Sequence, residues 1–314
     1  MASQGSVSCR TLYTTGPTHM RRQFVVTLER VLEEDPRVVL LLGDIGVFGF
    51  RNSFAKFPMR TINIGILEQA SVSVAAGLAK EGLIPFFHSI APFVVERAFE
   101  QIKVDFGYQE LGGNFVTAGG SYDYPALGCT HHCPGDVSLL LTVPGMEIHV
   151  PGHPEELAHQ ISTSYANGKP TYYRLSERSN SAPHVSANGK MTVIREGAGP
   201  VVLAIGPMLD LVIQAMAGTD ATILYTNTVW PMDDAMLRHQ AKRAAGRVMC
   251  VEPWYEGTLA PLLQQSLRGM RTAFDFLGVP RRFLTAYGGL EEHDIACGLT
   301  PPQIRLRFDQ LTHV

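Results

Sequence analysis

Cysteine is sparse in this sequence, and its placement excludes the scaffolds built on it. The five cysteines stand at positions 9, 129, 133, 250 and 297, an odd number with no C-x-x-C pair. That argues against a disulfide framework or a ribbon-type zinc site and favours a reducing compartment. Long apolar runs are absent too: none reaches the roughly 20 residues that a membrane helix needs. The opening MASQGSVSCR has no apolar signal core, so a cytoplasmic protein with no membrane partner is expected. Neither sign of charge is in excess. Charged residues make up 18% and the formal net charge is -3, which excludes a disordered polyelectrolyte and gives no reason to expect nucleic acid as a partner. There is no internal repeat and no low-complexity tract.

With those classes removed, what is present reads as a globular α/β protein. At 314 residues and 45% hydrophobic, the chain is long enough for two domains, each with its own core. Apolar residues at helical spacing from Met20 to Asp35 end at Pro36, and the run VVLLL, Val38 to Leu42, follows as a buried strand. Glycines 43, 46 and 49 then supply a flexible turn at the strand's C-terminal end, where open parallel sheets place their ligands. A second strand near Asn63, a small-residue helix from Leu67 to Lys80, a strand at Leu83 to Phe87, a helix from Pro92 to Gln109 and a strand at Asn114 to Ala118 continue the alternation. Residues 119–135 form a long loop rich in Gly, Pro, Tyr, Cys and His, and a loop of that length is usually functional. A helix from Asp136, a strand near Ile148, a helix after Pro154 and a strand at Thr171 to Leu175 close the unit.

The polar stretch Ser176 to Pro200 reads as a boundary. Beyond it VVLAI, ATILY and RVMCV are buried strands separated by helices. The expected fold is two doubly wound domains with mainly parallel sheets: 1–180, a linker at 181–198, and 199–314.

Several residues in this frame carry chemistry. Glu68 opens the small-residue helix directly after a strand, where a capping carboxylate is the simpler account. Phe93 has helical spacing that more often marks a core ring than a cofactor wall, and Arg97 and Glu100 could form a surface ion pair. His131 and His132 lie in the CTHHC cluster, whose adjacent side chains are poorly disposed for a tetrahedral metal. Asp44, in GDIG, suits a turn as well as a ligand.

Taken in order, the glycine turn, Glu68 in NIGILEQ, the aromatic segment HSIAPFVVERAFEQIKVDF and His131 in GCTHH resemble the pyrimidine-binding and C-terminal domains of transketolase, over nearly the whole chain. The resemblance implies thiamine diphosphate as cofactor. Glu68 would hydrogen-bond the aminopyrimidine ring and so promote formation of the ylide, with Phe93, Ile90, Asp44 and Arg97 as further cofactor contacts. It implies His131 as the catalytic histidine facing the substrate, with His132, His88 and Arg174 as further substrate contacts. Arg178 is the alternative match for the family's phosphate-binding Arg. Two positions depart from the family. Leu127 replaces an Asp that binds a substrate hydroxyl, and Gly119 stands where a phosphate-contacting His is common, which puts sugar-phosphate specificity in doubt.

No G-D-G sequence occurs anywhere in the chain. The resemblance therefore implies a partner, an N-terminal subunit that binds the diphosphate through Mg2+ or Ca2+, in a two-plus-two heterotetramer. The expected reaction transfers a two-carbon ketol or acyl unit from a ketose or 2-oxo acid to an aldehyde. Three alternatives stay open: the β subunit of a 2-oxo acid dehydrogenase; deoxyxylulose-phosphate synthase, against which length counts; and a non-catalytic partner of an active homologue.

Overall fold

Apolar runs bounded by proline and glycine become the central strands. The computed structural model describes residues 19–313, so Cys9 and the first residues of the expected N-terminal domain lie outside it. Helix α1 (Met20–Glu34) turns Phe24, Leu28, Val31 and Leu32 inward. It leads through Asp35 and Pro36 into β1 (Val38–Leu42), which is buried along its whole length. The glycine turn and α2 (Arg51–Lys56) then lead to β2 (Thr61–Asn63), α3 (Glu68–Lys80) and β3 (Ile84–Ile90).

The helix expected from Pro92 to Gln109 is a composite. Short α4 (Phe99–Gln101) lies between two π-helical turns, Pro92–Glu96 and Ile102–Tyr108. Such widened turns often occur at functional sites. After β4 (Gly113–Ala118) comes the long loop, then α5 (Asp136–Leu140), β5 (Glu147–His149), α6 (Pro154–Ser164) and β6 (Pro170–Arg174).

The second half runs β7 (Thr192–Arg195), β8 (Val201–Ile205), α7 (Leu209–Ala215), β9 (Thr222–Thr226), β10 (Thr228–Trp230), α8 (Asp234–Arg243), β11 (Arg247–Tyr255), α9 (Ala260–Ser266), β12 (Ala273–Val279), α10 (Leu290–Cys297) and α11 (Pro301–Thr312). Two sheets result, ordered β10-β5-β6-β4-β3-β1-β2 and β12-β11-β8-β9-β7. Every pairing of these strands is parallel except β10 with β5 and β7 with β9. This is the doubly wound, mainly parallel architecture expected from the sequence.

Strands β7, β10 and β12 and helices α10 and α11 were not anticipated. Strand β7 lies within the stretch read as a linker, and β10 leaves the second half to extend the first sheet. One hydrophobic core consequently runs through both halves, joining Val150 and Tyr172 to Val201, Leu203 and Trp254. Among the described residues no helix is long and apolar enough to cross a membrane.

The feature that positions a site is strand β1. Its neighbours are β2 on one side and β3 on the other, so the chain passes to one side of it and then crosses to the other, and a crevice opens at its C-terminal end. At the opposite, N-terminal edge of the same sheet the packing is tight. A Cβ on Gly113 would lie 2.4 Å from the Phe106 ring. Gly113→Ala is expected to lower stability by about 1–3 kcal/mol, read as a lower urea midpoint with an unchanged slope.

Candidate active site

A cleft of about 890 Å3 occupies the crevice. The turn after β1 supplies Gly43 to Phe48, with Asp44 and Gly46 at positive φ. Asp44 is held there by Asn63 at the end of β2: its backbone N–H donates to Asn63 Oδ1 (3.0 Å), and Asn63 Nδ2 donates to Asp44 Oδ1 (3.1 Å). Ser89 and Ile90 come from the end of β3, Phe93 from the first π turn, and Tyr124, Leu127 and His131 from the long loop.

Glu68 is the first residue of α3 and only 1% exposed. Its Oε2 accepts a hydrogen bond from Arg97 Nη1 at 2.8 Å. Its Oε1 is buried with no hydrogen-bond partner, a state that polar groups in protein interiors rarely keep. The Arg97 guanidinium lies 4.3 Å from the centroid of the Phe93 ring, a cation–π contact that fixes both groups. Phe93 in turn meets His131 edge to face, with centroids 5.3 Å apart. Glu68, Arg97, Phe93 and His131 thus form a continuous series of contacts across the cleft. Thr130 Oγ1 lies 3.0 Å from His131 Nδ1. Partial burial lowers the His131 pKa from its ordinary value, which keeps the ring neutral at pH 7 and able to donate or accept a proton.

Three expected substrate contacts are not in the cleft. His88 is buried on the far side of the glycine turn, 4.9 Å from the Phe24 ring, with Nδ1 2.8 Å from the Val116 carbonyl oxygen. Burial and the nearby positive charge of Arg21 hold its pKa at about 3, against an ordinary 6.5. His132 is turned away from its neighbour and packs on His293 of the second half. Arg174 is 1% exposed and donates to Asp136 at 2.6 Å beneath the long loop. Arg178 pairs with Asp294. The only Lys or Arg among the described residues lining the cleft is one the sequence reading overlooked, Arg21 of α1. Its sole sequence signal was a basic pair at a helix start.

The departures from the family have physical form as well. Leu127 is a half-exposed apolar wall of the cleft. Gly119 has φ +77°, and a side chain there would strike the Tyr124 ring at 2.2 Å.

A cleft of this build, at the end of β1 with a buried carboxylate facing a loop histidine, has counterparts among known proteins. The family described as the pyrimidine binding domain of transketolase matches residues 17–181. This chain belongs to the transketolase family. Similarity continues past that domain. An uncharacterised 33.6 kDa protein of the fasciation locus of Rhodococcoides fascians is 40% identical over 285 residues, covering 90% of this chain and 91% of that one. One of the subunits of the apulose-4-phosphate transketolase of Phocaeicola vulgatus is 28% identical over 274 residues, 83% of this chain and 87% of its own. A solved structure described as a split gene transketolase, inactive β4 tetramer, superposes with a TM-score of 0.81 at 24% identity. It covers 95% of this chain and 99% of its own, and so shows the same fold.

For a transketolase-family chain the unpaired Glu68 Oε1 is a fitting test of the cofactor. An aminopyrimidine offers a ring nitrogen that can share a proton with that oxygen, while Phe93 and Ile90 supply apolar walls. Among the described residues no group of three or more His, Cys, Asp or Glu is arranged to hold a metal ion.

A histidine buried in its neutral form makes the fold sensitive to pH, and a buried ion pair makes it sensitive to the loss of a partner. The unfolded chain protonates His88 near pH 6.5 and the folded chain near 3, so its contribution is complete above 6.5 and declines as pH falls through that window, by up to about 1.4 kcal/mol per unit. Urea titrations at pH 6.5 and 5 should show His88→Asn losing about 2 kcal/mol less than the parent over that interval. Removing the partner of Arg174 by Asp136→Ala leaves a buried cation unpaired and is expected to destabilise the fold by about 3–5 kcal/mol, visible as a lower melting temperature.

Proposed function

We propose that this chain is the pyrimidine-binding subunit of a split, thiamine-diphosphate-dependent transketolase. It would move a two-carbon ketol or acyl unit from a ketose or 2-oxo acid donor to an aldehyde acceptor. The observation that carries this reading is the Glu68 carboxylate, buried with one oxygen fixed by Arg97 and the other unpaired, across the cleft from His131. When bound, thiamine diphosphate supplies the carbon nucleophile.

The chain's own residues have separable tasks. Glu68 Oε1 holds a proton shared with the cofactor's ring nitrogen, and Arg97 keeps the carboxylate turned towards that atom. Phe93 and Ile90 exclude water from one side of the cleft, and the ordered Asp44 turn closes another. His131, neutral and half-buried, exchanges a proton with the substrate oxygen. Arg21 is placed to hold an anionic group of the substrate. Leu127 and Gly119 supply no polar contact to sugar hydroxyls, which favours a donor or acceptor with an apolar or shorter body.

A second chain completes the site. The diphosphate and its Mg2+ or Ca2+ need oxygen ligands, and the G-D-G sequence that would provide them is missing here. Phe48 and Ile66 at the cleft mouth are each 64% exposed, with Leu67 and Leu127 close behind. An exposed apolar rim of that kind is suited to a covering subunit. Two copies of each chain would give a closed symmetric heterotetramer. The free thiols at Cys129, Cys133, Cys250 and Cys297 fit a cytoplasmic setting.

Turnover measured in the complex with a diphosphate-binding partner, thiamine diphosphate and Mg2+ tests the reading. Glu68→Ala should keep the fold, judged by circular dichroism, and lower kcat by about 10²–10⁴-fold. Normal turnover in that variant rules the mechanism out. Arg21→Gln should raise KM for an anionic substrate about tenfold or more while leaving a neutral analogue unaffected.

A further inference from the structure

We infer that Asp294, carried by α10 of the second half, is a positioning residue for the loop that holds His131. The need for one follows from the loop itself. Residues 119–135 leave the end of β4 with no ladder partner, and only one bridge closes their base: Ser121 N–H to the Cys133 carbonyl (3.2 Å) and Cys133 N–H to the Ser121 carbonyl (2.7 Å). Inside it, single turns such as His131 N–H to the Gly128 carbonyl (3.0 Å) give local shape. Asp123 also ties the start of the loop to the segment after β6, accepting from Ser176 Oγ and from the Glu177 N–H at 3.1 Å each, but a further reference lies outside the first half.

The second half supplies that reference. Tyr122 Oη donates to Asp294 Oδ1 at 2.6 Å, and Arg178 Nη2 donates to Asp294 Oδ2 at 2.5 Å. One half-shielded carboxylate thereby joins the start of the loop to the segment after β6, with both of its oxygens used. Burial pushes the Tyr122 hydroxyl well above its ordinary pKa, so it stays a donor. The other end of the loop meets the same helix. The His293 ring lies 5.5 Å from the Tyr122 ring and 5.6 Å, edge on, from the His132 ring.

One glycine shows how close the seam is. A Cβ on Gly128 would lie 2.7 Å from the Tyr287 ring, in the segment leading to α10. The cleft's lining residues all come from positions up to 131. The second half therefore acts on the site through the back of this loop, with Asp294 as its charged anchor. The functional consequence rests on the reading of His131 as the group that meets the substrate; the anchoring does not.

Hydrogen exchange on the full chain, followed by mass spectrometry, tests the anchoring without reference to activity. In Asp294→Ala, peptides covering 119–135 are expected to exchange about tenfold faster or more, the effect of losing one charge-assisted hydrogen bond, while peptides from β11 keep the parent rate. If Asp294→Ala also loosens β11, Tyr122→Phe decides, because it removes a single oxygen. Parent-like exchange of 119–135 in Tyr122→Phe overturns the proposal. In the assembled enzyme the same variant should lower kcat with the affinity for thiamine diphosphate unchanged, since Glu68 and Phe93 are untouched. Equal loss of both would indicate general damage and would also overturn it. An assembled parent without turnover would count against the proposed function and leave the exchange result to decide the anchoring.

Discussion

Parallel strands cannot be joined by tight turns. Each crossover must return over a face of the sheet, so all the C-terminal strand ends collect along one edge. In this chain that constraint does most of the organising. The glycine turn after β1, the start of α3 after β2 and the first π turn after β3 are far apart in sequence, yet they are brought side by side because β1 sits between β2 and β3. The cleft is the gap that this reversal leaves. The two residues proposed for acid–base work stand on different supports: Glu68 on the first turn of a regular helix, His131 on an irregular loop.

That difference in support explains how charge is distributed around the site. Glu68 is buried and would be strongly destabilising as an isolated anion. Arg97 neutralises it from a half-exposed position, so the pair stays partly wet on the cation side and the acid is held without a fully buried ion pair. Beneath the loop the arrangement is the opposite. Arg174 and Asp136 are both inaccessible, a pairing whose main effect is to fix one arrangement of the seam. Arg174 also lies 5.5 Å from the Trp254 ring and bonds the Pro253 carbonyl at 3.4 Å, which ties the floor of the loop to β11. The two halves are thus coupled three ways: by β10 in the shared sheet, by a common core, and by polar contacts behind the His131 loop.

The apolar runs were legible one by one. VVLLL, VVLAI and RVMCV are five-residue, mostly apolar runs, too short for core helices and rich in Val, and their alternation with helical periods gave the α/β class. The elements that escaped are those whose signal is short or mixed. Strands β7 and β10 are four and three residues long, and neither stands between two helices as the equally short β2 and β5 do. Strand β12 carries the partly exposed Asp275, whose carboxylate accepts from Arg307 of α11.

The site divides in the same way. Glu68, Phe93 and His131 could be singled out because their order along the chain, after the glycine turn and into the long loop, resembles transketolase, and the structure brings them together with Asp44, Ile90 and Arg97. His88, His132 and Arg174 have chemistry equally suited to a site but were sent elsewhere by packing. Alternation along a strand turned His88 to the opposite face of the sheet, the bridge at Cys133 turned His132 into the seam, and a buried carboxylate captured Arg174. The sequence by itself determined the fold class, the family and the lack of a diphosphate-binding motif, because period, local motif and composition are properties of short stretches. Only the tertiary structure decided that Arg21 lines the cleft, that Tyr124 fills the space beside Gly119, and that the second half anchors the His131 loop through Asp294. The last of these contacts joins residues 172 positions apart, and separations of that size are set by how the sheets pack.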